Sequence, residues 1–176
     1  MLIRHAEKPP GGEGRLDCSG LNRAAALPAV IIREFGRPDA IFAPDPGGLK
    51  KDDGVKYHYR RPLQTVEPLA KSLNIQVDTR FRYKQIDPLE QALAAPALAG
   101  GTVLVAWEHK QLVKLARGLL RDNGGDETGV PRWRGDDFDS IFIVRITRAD
   151  GRANAVFEKR RQGLNGQPAN CPTGSG

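Results

Sequence analysis

The sequence has few of the residues that would place the protein in a specialised structural class. It contains 2 cysteines, Cys18 and Cys171, which are too few for a disulfide-built scaffold and show no CxxC spacing. Two free thiols and a single bridge are both compatible with this pattern. The chain has no HExxH motif and no cysteine pair at metal-ligand spacing, so we expect neither a metal nor another cofactor.

Long apolar runs are also missing. No stretch approaches the ~20 apolar residues that cross a bilayer, so we expect no membrane partner. No signal-peptide pattern opens the chain, which predicts a cytoplasmic protein. The alternative is a periplasmic or secreted protein whose leader has been removed, because the first strand begins almost at residue 1.

The charge balance is basic: 27 Lys and Arg residues against 21 Asp and Glu residues give a net charge of +6. Such an excess is compatible with a solvated surface, with attraction of anionic substrates, or with nucleic-acid binding. No basic run is interleaved with aromatic residues as a base-stacking platform requires. We therefore expect a small anionic partner and keep nucleic acid as an alternative.

Strand and helix patterns alternate along the chain. Strands are predicted at 1–4, 39–43, 74–78, 102–107, 140–147 and 153–159, and helices from the Ser19 N-cap to Phe35 and at 61–73, 88–99 and 111–120. Pro28 should kink or split the first helix. Residues 6–18, 44–56 and 122–137 are predicted loops. Asp150–Gly151 predicts a hairpin between the last two strands, and 163–176 an irregular tail.

This alternation predicts one α/β domain over 1–176. Its architecture should be a three-layer sandwich, with a mostly parallel central sheet, helices on both faces and an antiparallel edge strand. In such sheets ligands bind beyond the carboxyl ends of the strands. Arg4–His5, Pro44–Asp45 and Glu108–His109 follow predicted strands, and they include two of the three histidines. Together with Arg61 at a helix start, they suit a phosphate dianion.

Several ordered segments carry a family resemblance. Leu2-Ile3-Arg4-His5-Ala6-Glu7-Lys8 resembles the RHG-type signature of the histidine phosphatase superfamily, whose fold is phosphoglycerate mutase-like. Similarity to that family continues in three further segments, Ser19-Gly20-Leu21-Asn22-Arg23-Ala24, Arg61-Pro62-Leu63-Gln64-Thr65-Val66 and Thr102-Val103-Leu104-Val105-Ala106-Trp107-Glu108-His109.

The resemblance implies that His5 is a phosphorylated nucleophile and that Arg4, Arg61 and His109 form a phosphate pocket that needs no metal. Lys8 and Arg60 are candidate substrate-binding residues, and Arg60 could exchange roles with Arg61. His58, in a Tyr-His-Tyr segment, is expected at the rim or in a structural role.

The proton donor is the open part of this hypothesis. Glu108 is the first candidate, followed by Asp87 and Glu7. A substrate with a good leaving group, such as a phosphoramidate, would need little protonation by the enzyme. The predicted function is therefore hydrolysis of a phosphomonoester or phosphoramidate through phospho-His5. The alternatives are a phosphate-binding regulatory module without turnover, a phosphoglycerate mutase-like phosphotransferase and a nucleic-acid-binding protein.

Overall fold

The protein is built around a five-stranded mixed sheet with strand order β2-β5-β1-β6-β7. The computed structural model describes residues 1–11, 13–52 and 54–172; Gly12, Asp53 and the end of the predicted tail, 173–176, lie outside the described residues. The strands are β1 (Leu2–Arg4), β2 (Ala40–Phe42), β3 (Leu49–Asp52), β4 (Val55–His58), β5 (Val103–Trp107), β6 (Ser140–Ala149) and β7 (Arg152–Arg161). The helices are α1 (Cys18–Phe35), α2 (Arg61–Leu73), α3 (Ile86–Leu93) and α4 (His109–Arg121).

The centre of the sheet is parallel and one side of it is antiparallel. β5 pairs in parallel with both β1 and β2, while β6 is antiparallel to β1 and β7 is antiparallel to β6. The predicted α/β class, with a parallel core and antiparallel strands beside it, is confirmed. The carboxyl ends of β1, β2 and β5 therefore meet at one edge of the sheet.

Helices cover both faces of the sheet. Neighbouring residues of a strand point to opposite faces, so they pack against different helices. Leu2 and Val105 belong to a core that includes Leu112 and Leu115 of α4. The adjacent residues Ile3 and Leu104 belong to a second core, with Leu27 and Ile31 of α1 and Val66 and Leu69 of α2. Two separate cores, one on each face, hold the edge that carries the strand ends.

Helix boundaries follow the sequence with small corrections. Asp17, rather than the predicted Ser19, caps α1, since its carboxylate accepts a hydrogen bond from the Gly20 amide. The α1 helix continues past Pro28 to Phe35, so the expected split does not occur. The predicted stretch 88–99 is α3 followed by a separate 3₁₀ turn, Pro96–Leu98.

Two predictions were wrong, one of a strand and one of a loop. Residues 74–78 form only an isolated bridge, from Asp78 to Phe42. The predicted loop 44–56 contains β3, which pairs with β4 in a separate antiparallel hairpin. This hairpin is polar and lies outside the main sheet, so it lacks the alternating apolar pattern by which strands are recognised in a sequence.

The described part of the tail, residues 163–172, has no helix or strand but is held against α1. Cys18 and Cys171 are joined by a disulfide across a separation of 153 residues. The Asn22 amide also donates to the carbonyl oxygens of Pro168 and Asn170. Among the described residues, none of the helices is both long and apolar enough for a membrane crossing.

Candidate functional site

The ends of β1 and β5 bring the two predicted histidine segments side by side. Arg4 is in register with Trp107, and the His5 amide donates to the Trp107 carbonyl at 3.1 Å. His5 therefore leaves the sheet next to Glu108, and His109 follows at once as the first residue of α4. Residues about 100 positions apart in sequence meet because two parallel strands end together.

The His5 imidazole is buried, with 2% of the residue exposed, and its tautomer follows from one hydrogen bond. Its Nδ1 lies 2.8 Å from the Ala6 carbonyl oxygen. A carbonyl can only accept, so Nδ1 carries the proton and Nε2 keeps an unprotonated lone pair. This is the form of histidine that can attack phosphorus.

Burial and nearby positive charge keep that ring neutral. Desolvation is the largest cause that holds the pKa of His5 well below its ordinary value of 6.5, and the charges of Arg61 and Arg4 lower it further. The aromatic rings of Tyr59 and Phe138 enclose the imidazole, with ring centroids at 5.9 and 6.1 Å. The neutral His5 imidazole is thus buried between aromatic rings, with the cations Arg61 and Arg4 close to it.

The start of α2 fixes the loop that carries His5. Thr65 Oγ1 accepts a hydrogen bond from the Ala6 amide at 2.9 Å, and the Gln64 side chain accepts one from the Leu16 amide at 3.0 Å. The Gly14 carbonyl in turn accepts from the amides of Arg60 and Arg61. The Gln-Thr pair of the R-x-x-Q-T segment therefore has a structural role, because it joins the loop that follows His5 to the helix.

Arg61 is fully buried at this helix start, whereas Arg60 is exposed. The Arg61 guanidinium donates to the Tyr57 hydroxyl and lies 5.3 Å from the centre of the Tyr59 ring. Between the two neighbouring arginines, only Arg61 is placed with His5. Arg60 and the half-buried Lys8 remain candidates for contact with a substrate at the rim.

Arg4 is buried, with 3% exposed, and is held mainly by backbone and aromatic groups. Its Nη1 donates to the Gly135 carbonyl at 2.6 Å, and its guanidinium lies 3.9 Å from the centre of the Phe138 ring. In the described part of the chain, Arg4 Nε has no hydrogen-bond partner. Desolvation lowers the pKa of Arg4 to about 10, so the group stays charged at neutral pH.

His109 and Glu108 lie side by side at the start of α4. Glu108 Oε2 accepts from the Gln111 amide at 3.0 Å and thereby caps the helix, while Oε1 lies 3.0 Å from His109 Nδ1. The angle at Nδ1 does not make this a hydrogen bond, so the contact is electrostatic. Burial lowers the pKa of His109 to about 4, although the Glu108 charge acts in the opposite direction.

The other two carboxylates proposed as acids lie in different surroundings. Glu7 accepts from Arg23 Nη2 at 2.7 Å and from Arg23 Nε at 2.9 Å, a bidentate ion pair. Asp87 is exposed in the first turn of α3. The oxygens of Glu108 contact the Gln111 amide and His109 Nδ1. Glu7 and Glu108 thus have partners within the protein, and Asp87 lies on the surface.

Sequence reasoning missed several residues that line the pocket. Lys50 on β3 lowers the pKa of both His5 and His109, after the larger effect of burial in each case. Its Nζ lies 5.0 Å from the ring centre of Tyr59. Phe138 lies in the loop before β6 and contacts Arg4 and His5. The Tyr-His-Tyr segment next to the R-x-x-Q-T motif was the one available signal for the tyrosines.

Two cavities differ in their relation to this pocket. A cavity of about 560 Å³ is lined by Met1, Thr102, Val103 and Ile146, at the amino ends of β1 and β5, on the far edge of the sheet. A smaller cavity of about 370 Å³ shares Tyr59 with the pocket. In the residues that the structure describes, no group of three or more His, Cys, Asp or Glu side chains could hold a metal.

The structure resembles solved proteins, while the sequence alone finds no match. No protein-family model and no curated protein match the chain. A Nakamurella multipartitia protein that bears the name phosphohistidine phosphatase SixA superposes with a TM-score of 0.58 at 16% identity, over 89% of this chain and 94% of the other. Mycobacterial hydrolase 1 superposes with a TM-score of 0.59 at 15% identity, over 89% and 95%.

These superpositions extend over most of both chains, although few residues are identical. They agree with the mixed five-stranded sheet described above. The chain therefore has the histidine phosphatase fold, as its sequence segments predicted.

Proposed function

We propose that this protein is a phosphatase that hydrolyses a small phosphomonoester or phosphoramidate through a covalent phosphohistidine on His5. The observation that carries the proposal is a neutral, buried imidazole with a free Nε2 lone pair, flanked by the buried cations Arg4 and Arg61. A buried guanidinium such as that of Arg4, whose Nε bonds to no described residue, is stabilised by a bound anion, so the pocket favours a phosphoryl group.

The chemistry divides into two displacements. In the first, the Nε2 lone pair forms a bond to phosphorus, and the bond from phosphorus to the leaving oxygen or nitrogen breaks with its electron pair on the leaving group. In the second, water attacks the phosphorus of phospho-His5 and the phosphorus–nitrogen bond breaks. Water loses a proton, inorganic phosphate leaves and neutral His5 returns. Arg4 and Arg61 stabilise the negative charge on the equatorial oxygens in both steps.

Glu108 has a positioning role in this scheme. One oxygen caps α4 and the other lies 3.0 Å from His109 Nδ1, which supports a role in positioning the start of the helix and His109. We expect Glu108→Gln to lower kcat by about tenfold or less, because the amide can still cap the helix. The basic limb of the pH–rate profile should stay in place. Loss of that limb in Glu108→Gln would instead identify Glu108 as the proton donor.

The absence of a carboxylate committed to proton donation favours substrates with good leaving groups. Among the described carboxylates, Glu7, Asp87 and Glu108 were the candidates and none is free beside His5. Phosphoramidates fit this requirement, and the name of the Nakamurella neighbour points to phosphohistidine. We therefore propose a phosphoramidate as the preferred substrate and an aryl phosphate as an adequate one.

The decisive test measures turnover and the covalent intermediate together. Wild-type protein should hydrolyse 4-nitrophenyl phosphate and free phosphohistidine, and an alkaline quench followed by mass spectrometry should locate phosphate on His5. His5→Ala should lower turnover by roughly 10⁴-fold or more, whereas the control His58→Ala, an exposed histidine on β4, should retain it. Phosphate binding without turnover by the wild type would instead establish the regulatory module, the second candidate.

The disulfide supports a proposal about location. Disulfides persist in oxidising compartments and are rare in a reducing cytosol. The Cys18–Cys171 bridge therefore favours the periplasmic or secreted alternative over the cytoplasmic one. Thiol titration of denatured protein purified with an alkylating agent from its native host should find no free thiol. Two free thiols would support a reducing compartment.

A further inference from the structure

The hairpin formed by β3 and β4 carries a cationic surface that the phosphoryl-transfer scheme does not use. Lys51 and Lys56 are directly opposite each other in the hairpin register. Like charges at such a position repel each other, which destabilises a strand pair. The hairpin therefore retains an unfavourable pair of charges that a bound anion would stabilise.

A cavity collects these charges into one place. It measures about 370 Å³, at the lower end of the range for small-molecule sites. The cations Lys51, Lys56, Arg82 and Lys84 line it together with one acid, Asp45. Within the described residues, Lys51, Lys56 and Arg82 make no side-chain ion pair, and the Asp45 carboxylate accepts from the Gly47 amide. The lining is thus strongly positive.

Aromatic rings connect this cavity to the phosphate pocket. Tyr59 and Tyr83 line the cavity, and their ring centroids lie 5.8 Å apart. The Tyr59 ring also lies 5.9 Å from the His5 ring. Tyr59 is 1% exposed, and in the described part of the chain its hydroxyl has no hydrogen-bond partner. A buried hydroxyl of this kind is costly unless a ligand bonds to it.

We propose that this cavity binds a second anionic group, a carboxylate or phosphate, on the leaving-group part of the substrate. The inference rests on the proposed function, because it assigns the phosphoryl group to His5 and the remainder of the molecule to the cavity. The aromatic wall between the two positions fits a flat or apolar spacer. The preferred substrates are therefore phosphoesters or phosphoramidates that carry at least two anionic groups.

Two matched substrates test the proposal, phenyl phosphate and 4-carboxyphenyl phosphate, which differ by one carboxylate. Wild-type protein should show the lower KM for the carboxylated compound. The double variant Lys51→Gln/Lys56→Gln should reduce that preference by roughly 2- to 30-fold, as expected for two exposed charge pairs. The control Lys71→Gln/Lys114→Gln removes the same charge from exposed positions of α2 and α4, and should leave the preference unchanged.

Binding separates failure of this inference from failure of the proposed function. Isothermal titration of both compounds into His5→Ala, with and without the two lysine substitutions, gives the preference without turnover. A preference that depends on Lys51 and Lys56 supports the cavity even if the wild type hydrolyses neither compound. Turnover of both compounds with equal effects of the lysine substitutions would overturn the cavity proposal and leave the phosphatase proposal intact.

Discussion

Two buried arginines, Arg4 and Arg23, come before and after the loop that follows His5, and they differ in the groups that surround them. Arg23 is 1% exposed and contacts the carboxylates of Glu7 and Asp139 as well as the amide oxygens of Gln162 and Asn165. Arg4 is 3% exposed and contacts backbone carbonyls and the Phe138 ring. Equal burial thus accompanies full charge compensation in one case and partial compensation in the other.

These surroundings distinguish a cation that holds the fold together from one that can bind a ligand. Arg23 on α1 donates hydrogen bonds to Glu7 in the loop after His5, to Asp139 before β6 and to Asn165 in the tail. Its hydrogen bonds therefore connect parts of the fold. Arg4 keeps a buried Nε that makes no bond among the described residues. A phosphate oxygen can accept a hydrogen bond from this Nε–H group.

The largest effect on stability should come from Arg23→Met. It leaves the buried Asp139 and the partly buried Glu7 without their cation, and breaking a buried ion pair in this way costs about 3–5 kcal/mol. Chemical denaturation should show this loss in the free energy of unfolding. The control Arg33→Met removes an exposed arginine beside Glu34 and should leave stability unchanged. An Arg23→Met protein as stable as the wild type would contradict the structural role of Arg23.

Arg4→Met should have the opposite balance of effects. Removing a partly compensated cation should leave the free energy of unfolding unchanged or raise it. Turnover of 4-nitrophenyl phosphate should fall by roughly 10²–10³-fold, the range for loss of one group that stabilises transition-state charge. Unfolding and steady-state kinetics of the same preparation would check both. Destabilisation without loss of kcat would make Arg4 a second structural arginine.

The disulfide should act on the Arg23 side of the molecule. It holds the tail against α1, and that tail supplies Asn165 to Arg23. The double variant Cys18→Ser/Cys171→Ser should lose about 2–4 kcal/mol of unfolding free energy, while kcat changes much less. Denaturation of the variant against oxidised wild type measures the effect. Equal stability of the two proteins would show that the tail is held by its hydrogen bonds alone.

The smallest effect concerns acid stability and the second histidine. Burial lowers the pKa of His109 to about 4 in the folded protein, below its ordinary value of 6.5. The folded state then binds fewer protons than the unfolded state between these values, so stability is complete above pH 6.5 and declines as the pH falls towards 4. Wild type should lose about 1–2 kcal/mol more than His109→Gln over this interval, after allowance for solvent screening. Parallel slopes would contradict this.

Much of the sheet edge that carries His5 and His109 could be predicted, because the sequence patterns that mark its strands and helices are local. The apolar run before Glu108 marks a buried strand, and the strand-end rule selects His5 and His109. The α2 boundaries, Arg61–Leu73, match the prediction because Pro62 in the first turn and a clear apolar stripe mark the helix. The hairpin of β3 and β4 was not predicted, because its short polar strands have no apolar face.

The alternation of strands and helices and the segments that carry the histidines can be derived from the sequence, since both depend on the order and spacing of residues along the chain. The folded chain was needed to show which arginine is compensated, where Lys50 and Tyr59 lie, and that Cys18 meets Cys171. Those outcomes depend on burial and on partners distant in sequence, and burial sets the strength of every charge in the pocket.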